Sequence, residues 1–291
     1  METGSIKMLL YNAKKILKEA GIQEYALDAE LFMMKAVGMD RIHIITEGDK
    51  MLTEEQLEYF NRCVNRRLKN EPTAYIIGSR EFMGLDFYVE NGVLIPRPDT
   101  EILVERVIEE AKKRNGKALV AEVGAGTGCI SISIAKYTNA VCRCTDINPT
   151  AVKLARKNAE LNNVSDRAFF YDGDIFKGLP ENEKYDIIVS NPPYINKADM
   201  ETLMPDVKDY EPSNALFGGD DGMDFYRKIA SDGFELLNAG GGIFFEIGYD
   251  EAEGVSEILI NNGYTDIEVL KDLSGLDRVV SAYRRNKCLI V

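Results

Sequence analysis

Glu122-Val123-Gly124-Ala125-Gly126-Thr127-Gly128 is the stretch on which the fold turns. Ala118 to Val123 read as a short apolar strand, and Ile130 to Ala135 begin a helix just beyond the glycines. Glycine permits the tight turn between them and lets backbone N–H groups approach a ligand closely. Ala140 to Thr145 make a second strand, and Asp146 follows it, 18 residues after Gly128. An acidic residue about 20 positions on is where a ribose hydroxyl pair is held in this topology. Asn148-Pro149 starts another helix, with Asn148 as N-cap and Pro149 at the first helical position. Phe169-Phe170-Tyr171, Ile187-Ile188-Val189 and Ile243-Phe244-Phe245 are strands of the buried type. Ile267 to Leu270 and Val279 to Tyr283 close the chain as an antiparallel pair. Strands alternating with helices predict an open, mostly parallel α/β sheet with helices on both faces.

Upstream the periodicity changes. Leu9, Ala13, Ile16, Leu17 and Ala20 recur at helical spacing until Gly21 stops the run. Leu31, Met34 and Val37 form a second stripe ended by Gly38. Thr53-Glu54-Glu55-Gln56 is a capping box, and Leu57, Phe60, Val64 and Leu68 line the face that follows. Phe82 to Val89 and Val93 to Ile95 read as two strands around an Asn91-Gly92 turn. The predicted organisation is a small all-helical domain over 1–75, a β-hairpin linker over 76–95 and the α/β domain over 96–291.

Composition narrows the chemistry. Hydrophobic residues at 45% and charged residues at 29% match a soluble globular protein. No stretch approaches the roughly 20 apolar residues of a membrane span. The first residues lack the basic patch and apolar core of a signal peptide, so a cytoplasmic location is expected. The single histidine, His43, lies far from the glycine loop, which excludes a Ser-His-Asp triad or a histidine metal cluster. Cys63, Cys129, Cys142, Cys144 and Cys288 are scattered without C-x-x-C spacing, which argues against a disulfide framework and a zinc site. No metal is expected. The net charge is −13, and residues 1–75 carry 11 basic against 12 acidic side chains, so nearly all of it belongs to the remainder. Such a surface repels a polyanion, so no direct nucleic-acid substrate is expected.

NAD and S-adenosylmethionine compete for the glycine loop. A dinucleotide needs G-x-G-x-x-G, because its pyrophosphate lies on the helix N-terminus. This loop is G-x-G-x-G, with no third glycine at the required place, and Ile130-Ser131 fill that region instead. A phosphate-free cofactor with a cationic sulfonium and an amino-acid tail fits better. Gly124, Ala125, Gly126, Thr127 and Gly128 would wrap it, Glu122 would suit its amino group and Asp146 its ribose. After the next strand, Asp174 is a candidate for the adenine amino group and Ile175 or Phe176 for covering the ring; a surface turn is the competing reading.

Tyr185 to Ser190 is a strand, and Asn191-Pro192-Pro193-Tyr194 begins at its C-terminal end, where ligands bind in open α/β sheets. Two successive prolines stiffen the loop and leave carbonyls to point outward. An amide nitrogen is a poor nucleophile because its lone pair is delocalised. If the Asn191 side-chain oxygen and the Pro192 carbonyl both accept from a target NH₂, they favour charge build-up on nitrogen and aim it at the methyl group. Tyr194 would stack on the flat amide. Arg97 is a candidate for positioning the substrate, or for folding the linker.

With these motifs, Glu71-Pro72, Tyr75-Ile76-Ile77-Gly78, Val93-Leu94-Ile95-Pro96-Arg97-Pro98-Asp99-Thr100-Glu101, Tyr210-Glu211-Pro212, Glu246-Ile247-Gly248 and Asp272 to Arg278 complete a pattern over about residues 70 to 285. In it the chain closely resembles the bacterial release factor glutamine N5-methyltransferases. The Ile-Pro-Arg-Pro-Asp-Thr-Glu segment is its most specific part. The resemblance implies a Rossmann-like class I methyltransferase sheet with one antiparallel strand, and S-adenosylmethionine as cofactor, leaving S-adenosylhomocysteine. It implies methyl transfer to the side-chain amide nitrogen of the glutamine in the Gly-Gly-Gln loop of class I peptide chain release factors. It further implies that the helical domain helps hold that partner. Cofactor roles carry onto Gly124 to Gly128, Asp146, Ile175 and Asn191, and substrate roles onto Asn191 to Tyr194. Glu122 stands where the family usually has Asp. The alternative is an amino-directed DNA or RNA methyltransferase, since related tetrapeptides serve those enzymes too.

Overall fold

In a computed structural model that describes residues 4–114 and 117–285, contacts divide the chain into two units. One runs to Ser79 and takes in Met204–Tyr210; the other holds Arg80–Leu203 and continues from Glu211.

The first unit is built from helices Ile6–Glu19, Tyr25–Val37, Arg41–Thr46, Glu54–Arg67 and Thr73–Ile77. Thr53 and Gln56 exchange both bonds of the capping box that their spacing predicts. Leu9, Ala13 and Leu17 pack with Phe32, Met33 and Phe60 in one apolar core. The second helix buries a different stripe from the one read in the sequence. Ala29, Phe32 and Met33 are buried, whereas Leu31, Met34 and Val37 are only half so. A buried ion pair accounts for the rotation. Arg67 Nε donates to Asp28 Oδ2 at 2.9 Å, and the Thr73 hydroxyl donates to Asp28 Oδ1 at 2.6 Å. Asp28 must face inward to keep both bonds, because a buried charge left without partners is costly. The later segment belongs here because Tyr210 Oη donates to the Lys69 carbonyl at 2.7 Å.

The second unit opens with the hairpin β1 (Ser79–Phe82) and β2 (Leu85–Tyr88). Its turn is not at Asn91-Gly92. Met83 and Gly84 have φ of +53° and +70°, the double left-handed pattern of a tight hairpin turn. Gly84 N–H donates to Glu81 Oε1 at 2.6 Å and Met83 N–H to Glu101 Oε1 at 2.7 Å, which holds the turn in place. Asn91-Gly92 makes a separate turn after β2, and Val93 to Ile95 form no strand.

Seven further strands make the main sheet: β3 (Leu119–Val123), β4 (Val141–Asp146), β5 (Ala168–Asp172), β6 (Tyr185–Ser190), β7 (Leu237–Glu246), β8 (Tyr264–Lys271) and β9 (Asp277–Arg284). Their order is β5-β4-β3-β6-β7-β9-β8. The five strands from β3 to β7 run parallel, and β9 runs antiparallel to both β7 and β8. Leu103, Val107, Ile132 and Ala155 from three helices join one apolar cluster, while Ile229 and Leu259 from two others join a second. Strand order reverses at β3, with Val123 in register with Thr145 on one side and Ser190 on the other. Carboxyl ends diverge at such a switch point and leave a crevice for ligands.

Cys63, Cys129, Cys142 and Cys144 are free and buried, and burial pushes the Cys129 thiol up to about 12. Cys288 lies outside the described residues. Among those described, no helix is long and apolar enough to cross a membrane.

Candidate active site

Past Val123 the backbone turns through Gly124, Gly126 and Gly128 at φ of +77°, +55° and +80°, the left-handed region that only glycine enters freely. Gly124 and Ala125 N–H both donate to the Thr145 carbonyl, at 2.9 and 3.0 Å. Asp146 then fixes the loop: its Oδ2 accepts from Gly126 N–H and its Oδ1 from Asn148 N–H, each at 2.8 Å. A carboxylate has about four acceptor positions, so lone pairs on both oxygens remain for two hydroxyls. Asn148 caps its helix through Thr150 N–H at 2.9 Å, and its amide nitrogen donates to the Gly92 carbonyl at 2.8 Å.

A cavity of about 310 Å³ opens over this loop. Of the residues singled out in the sequence, Gly124 to Thr127, Asp146, Asp174 and Ile175 line one part of it. Arg97, Asn191, Pro192 and Pro193 line another. The Asn191 amide nitrogen donates to the Thr100 hydroxyl at 3.2 Å, leaving its oxygen for other partners. Ser190 anchors the strand end below it, donating to the Val123 carbonyl at 2.7 Å. Asp174 reaches Lys177 at 3.5 Å and Lys228 at 3.8 Å, so it is shared with surface lysines. Ile175 is 6% exposed with φ of +57°, a conformation that costs a β-branched residue roughly 1–2 kcal/mol. Its carbonyl is held by the Thr145 hydroxyl.

Three expected residues are not on the wall. Gly128 lies beneath it, where an added Cβ would sit 2.9 Å from Ile132, 3.0 Å from Phe170 and 3.1 Å from Ala155. Gly128→Ala should therefore lower stability by about 2–4 kcal/mol, from backbone strain and overpacking together. Urea unfolding checks it, and an unshifted midpoint would show that the neighbours give way. Tyr194 is half-buried against the second apolar cluster, which raises its phenol to about 12.

Glu122 is the third. It is fully buried, its Oε2 accepts from the Ser131 hydroxyl, and its Oε1 has no partner among the described residues. Its place in β3, opposite Cys144, turns the side chain under the sheet instead of toward the cavity. Burial pushes its carboxyl from 4.5 up to about 8. A raised folded-state value means the contribution to stability is whole below about pH 4.5 and is lost as pH climbs through about 8. Glu122→Gln should flatten the fall in stability over that window by a few kcal/mol. Parallel pH profiles for the two proteins would refute the assignment.

Several wall residues went unrecognised as such. Val93, Leu94, Ile95, Ile147, Phe225 and Ile229 are apolar residues of that wall. Ile95 opens the most specific segment of the sequence pattern and Val93 and Leu94 directly precede it, and that was the available signal. The others are distant in sequence and carry no motif. Arg97 is the one basic residue on the wall, and its guanidinium is bound to Glu211 Oε1 at 2.5 Å. Among the described residues nothing else cationic faces the cavity, so the site suits an uncharged adenosine better than a pyrophosphate.

Residues 9–78 match the family described as PrmC N-terminal domain, and residues 98–206 match the methyltransferase small domain. Over 281 residues the chain is 46% identical to the release factor glutamine methyltransferase of Clostridium acetobutylicum, covering 96% of this chain and 98% of that protein. The chain belongs to the release factor glutamine methyltransferase family. The Geobacter sulfurreducens protein of the same name is 40% identical, over 96% of both chains. A methyltransferase from Pyrococcus furiosus shares the fold, with a TM-score of 0.54 at 21% identity, covering 70% of this chain and 91% of that one. As a family member the chain is an S-adenosylmethionine-dependent methyltransferase. The expected fold, a mostly parallel Rossmann-like sheet with one antiparallel strand beside a helical N-terminal region, is the one found.

Proposed function

We propose that this cavity methylates the side-chain amide nitrogen of the glutamine in the Gly-Gly-Gln loop of class I peptide chain release factors, with Asn191 and Pro192 as the groups that receive it. The observation that carries the reading is the Asn191 carboxamide: it stands at the end of β6 on the cofactor wall, with its nitrogen engaged by Thr100. Its oxygen and the Pro192 carbonyl accept the two hydrogens of the target NH₂. Hydrogen bonds to an N–H grow stronger as the nitrogen gains positive charge, so these acceptors favour the transition state over the ground state. Bound S-adenosylmethionine supplies a methyl carbon on a cationic sulfur; the new N–C bond replaces the S–C bond, whose electron pair stays on sulfur, and the nitrogen's surplus proton leaves to solvent. Asp146 holds the ribose, Gly124 to Thr127 the amino-acid end, and Ile175 with Asp174 the adenine. Arg97, pinned by Glu211, guides the substrate backbone at the mouth, and Pro193 shapes the slot for the planar amide. A helical partner-holding domain over 1–75 and a linker over 76–95 complete the proposal.

Incubation of the chain with S-adenosylmethionine and a purified release factor, followed by peptide mass mapping, tests the reading. One added methyl on the Gly-Gly-Gln glutamine is expected. An unmodified glutamine, with cofactor binding demonstrated in the same sample, would end it, and so would methyl transfer to RNA or DNA in place of the protein.

A further inference from the structure

We infer that Asn158 is a positioning residue for the cofactor. Its carboxamide ties Thr127 of the glycine loop to Tyr88 of the hairpin, and so aims the Thr127 N–H at the amino-acid end of S-adenosylmethionine. The inference rests on the cofactor placement proposed above and is independent of the methyl acceptor.

Asn158 belongs to the helix Pro149–Leu161, is fully buried, and is not itself on the cavity wall. Its amide nitrogen donates to the Thr127 carbonyl at 2.9 Å and to the Tyr88 carbonyl at 3.1 Å. Its oxygen accepts from Tyr88 N–H at 2.7 Å. Every partner is a backbone group. A backbone N–H only donates and a carbonyl only accepts, so these partners fix which way the carboxamide is turned. One turn further along, the Asn162 amide nitrogen donates to the Asp86 carbonyl at 3.0 Å. That second tie holds the hairpin without reaching the glycine loop.

Within the loop, Gly124 and Ala125 give their N–H groups to the Thr145 carbonyl, Gly126 to Asp146, and Gly128 to the Ala125 carbonyl at 2.7 Å. Among the described residues the Thr127 N–H is the one of the five with no protein acceptor, and Thr127 lines the cavity. Backbone N–H groups at such turns are donors for anions, and the amino-acid end of the cofactor carries a carboxylate. Thr127 stands between two glycines with φ of +55° and +80°, residues that leave the backbone free to swing. Asp146 grips the peptide before it and Asn158 the carbonyl after it, which sets the direction of the N–H between them.

The test compares two ligands. S-Adenosylhomocysteine keeps the amino-acid end, and methylthioadenosine lacks it. Asn158→Leu nearly conserves volume and removes all three bonds. By calorimetry that variant should bind S-adenosylhomocysteine about tenfold or more weakly, and methylthioadenosine within about threefold of wild type. Asn162→Ala cuts only the second tie to the hairpin and should leave both affinities within about threefold. General loosening would weaken the two ligands alike, so their ratio separates positioning from structural damage. A folded Asn158→Leu protein with equal losses for both ligands, or with none, overturns the inference. If the variant does not fold, hydrogen exchange in the wild-type chain decides. At equal saturation, which equalises the overall stabilisation, the Tyr88 amide should exchange at least about threefold more slowly with S-adenosylhomocysteine than with methylthioadenosine, and equal rates overturn the inference. A wild-type chain that binds both ligands equally tightly would strike the placement of the amino-acid end, and this inference with it.

Discussion

Asn191→Ala should lower kcat by about 10²–10³-fold, equivalent to roughly 2.7–4 kcal/mol, the usual loss when one preorganised polar contact to a transition state is removed. The alanine has no acceptor, so one hydrogen of the target NH₂ loses its partner. Nothing in the change touches the bonds that tie Asp146 to Gly126 and Asn148. Cofactor affinity, followed by calorimetry, should therefore move by less than about tenfold, which separates an effect on chemistry from an effect on binding. A variant with wild-type single-turnover rates would remove Asn191 from the mechanism.

Asp146→Ala should act on the opposite quantity. The carboxylate organises the glycine loop through two backbone N–H groups and keeps acceptor capacity for a ribose diol. Hydrogen bonds to a charged group are each worth roughly 1.5–3 kcal/mol, so losing two of them weakens cofactor binding by about a hundredfold or more. Asp146→Asn, which retains one oxygen, should fall between the two. Burial already raises the Asp146 carboxyl above its usual 3.8, so affinity should also weaken on the acid side as the group takes up a proton. Titration of each variant with S-adenosylmethionine measures this directly. An alanine variant that binds as tightly as the parent would show that the ribose is held elsewhere.

What the sequence made legible was whatever depends on near neighbours. The glycine loop, the Asn148-Pro149 helix start and the Thr53-Gln56 capping box are each set within a few residues, and all three appear as expected. Misreadings came where a distant partner overrode a local preference. Asn91-Gly92 is a strong hairpin signal, but Glu101 captures Met83 N–H and the turn forms eight residues earlier. The stripe of the second helix is set by Arg67, 39 residues away from Asp28. Glu122 opens the loop in sequence, and in the structure strand alternation points it at Ser131. Thr100 stands in the most specific segment of the pattern, but no role was legible for it, since its partner Asn191 lies 91 residues further on.

The position of β9 between β7 and β8 bears on how the protein is made. Asp277–Arg284 is synthesised after both of its neighbours, yet it lies between them in the sheet and supplies the pairing for each. A nascent chain that has emerged only as far as Leu276 exposes the ladder edge of β7 and has no route for β8 to join the sheet. Chains stalled or truncated before Asp277 therefore present an open edge of the kind that recruits other strands.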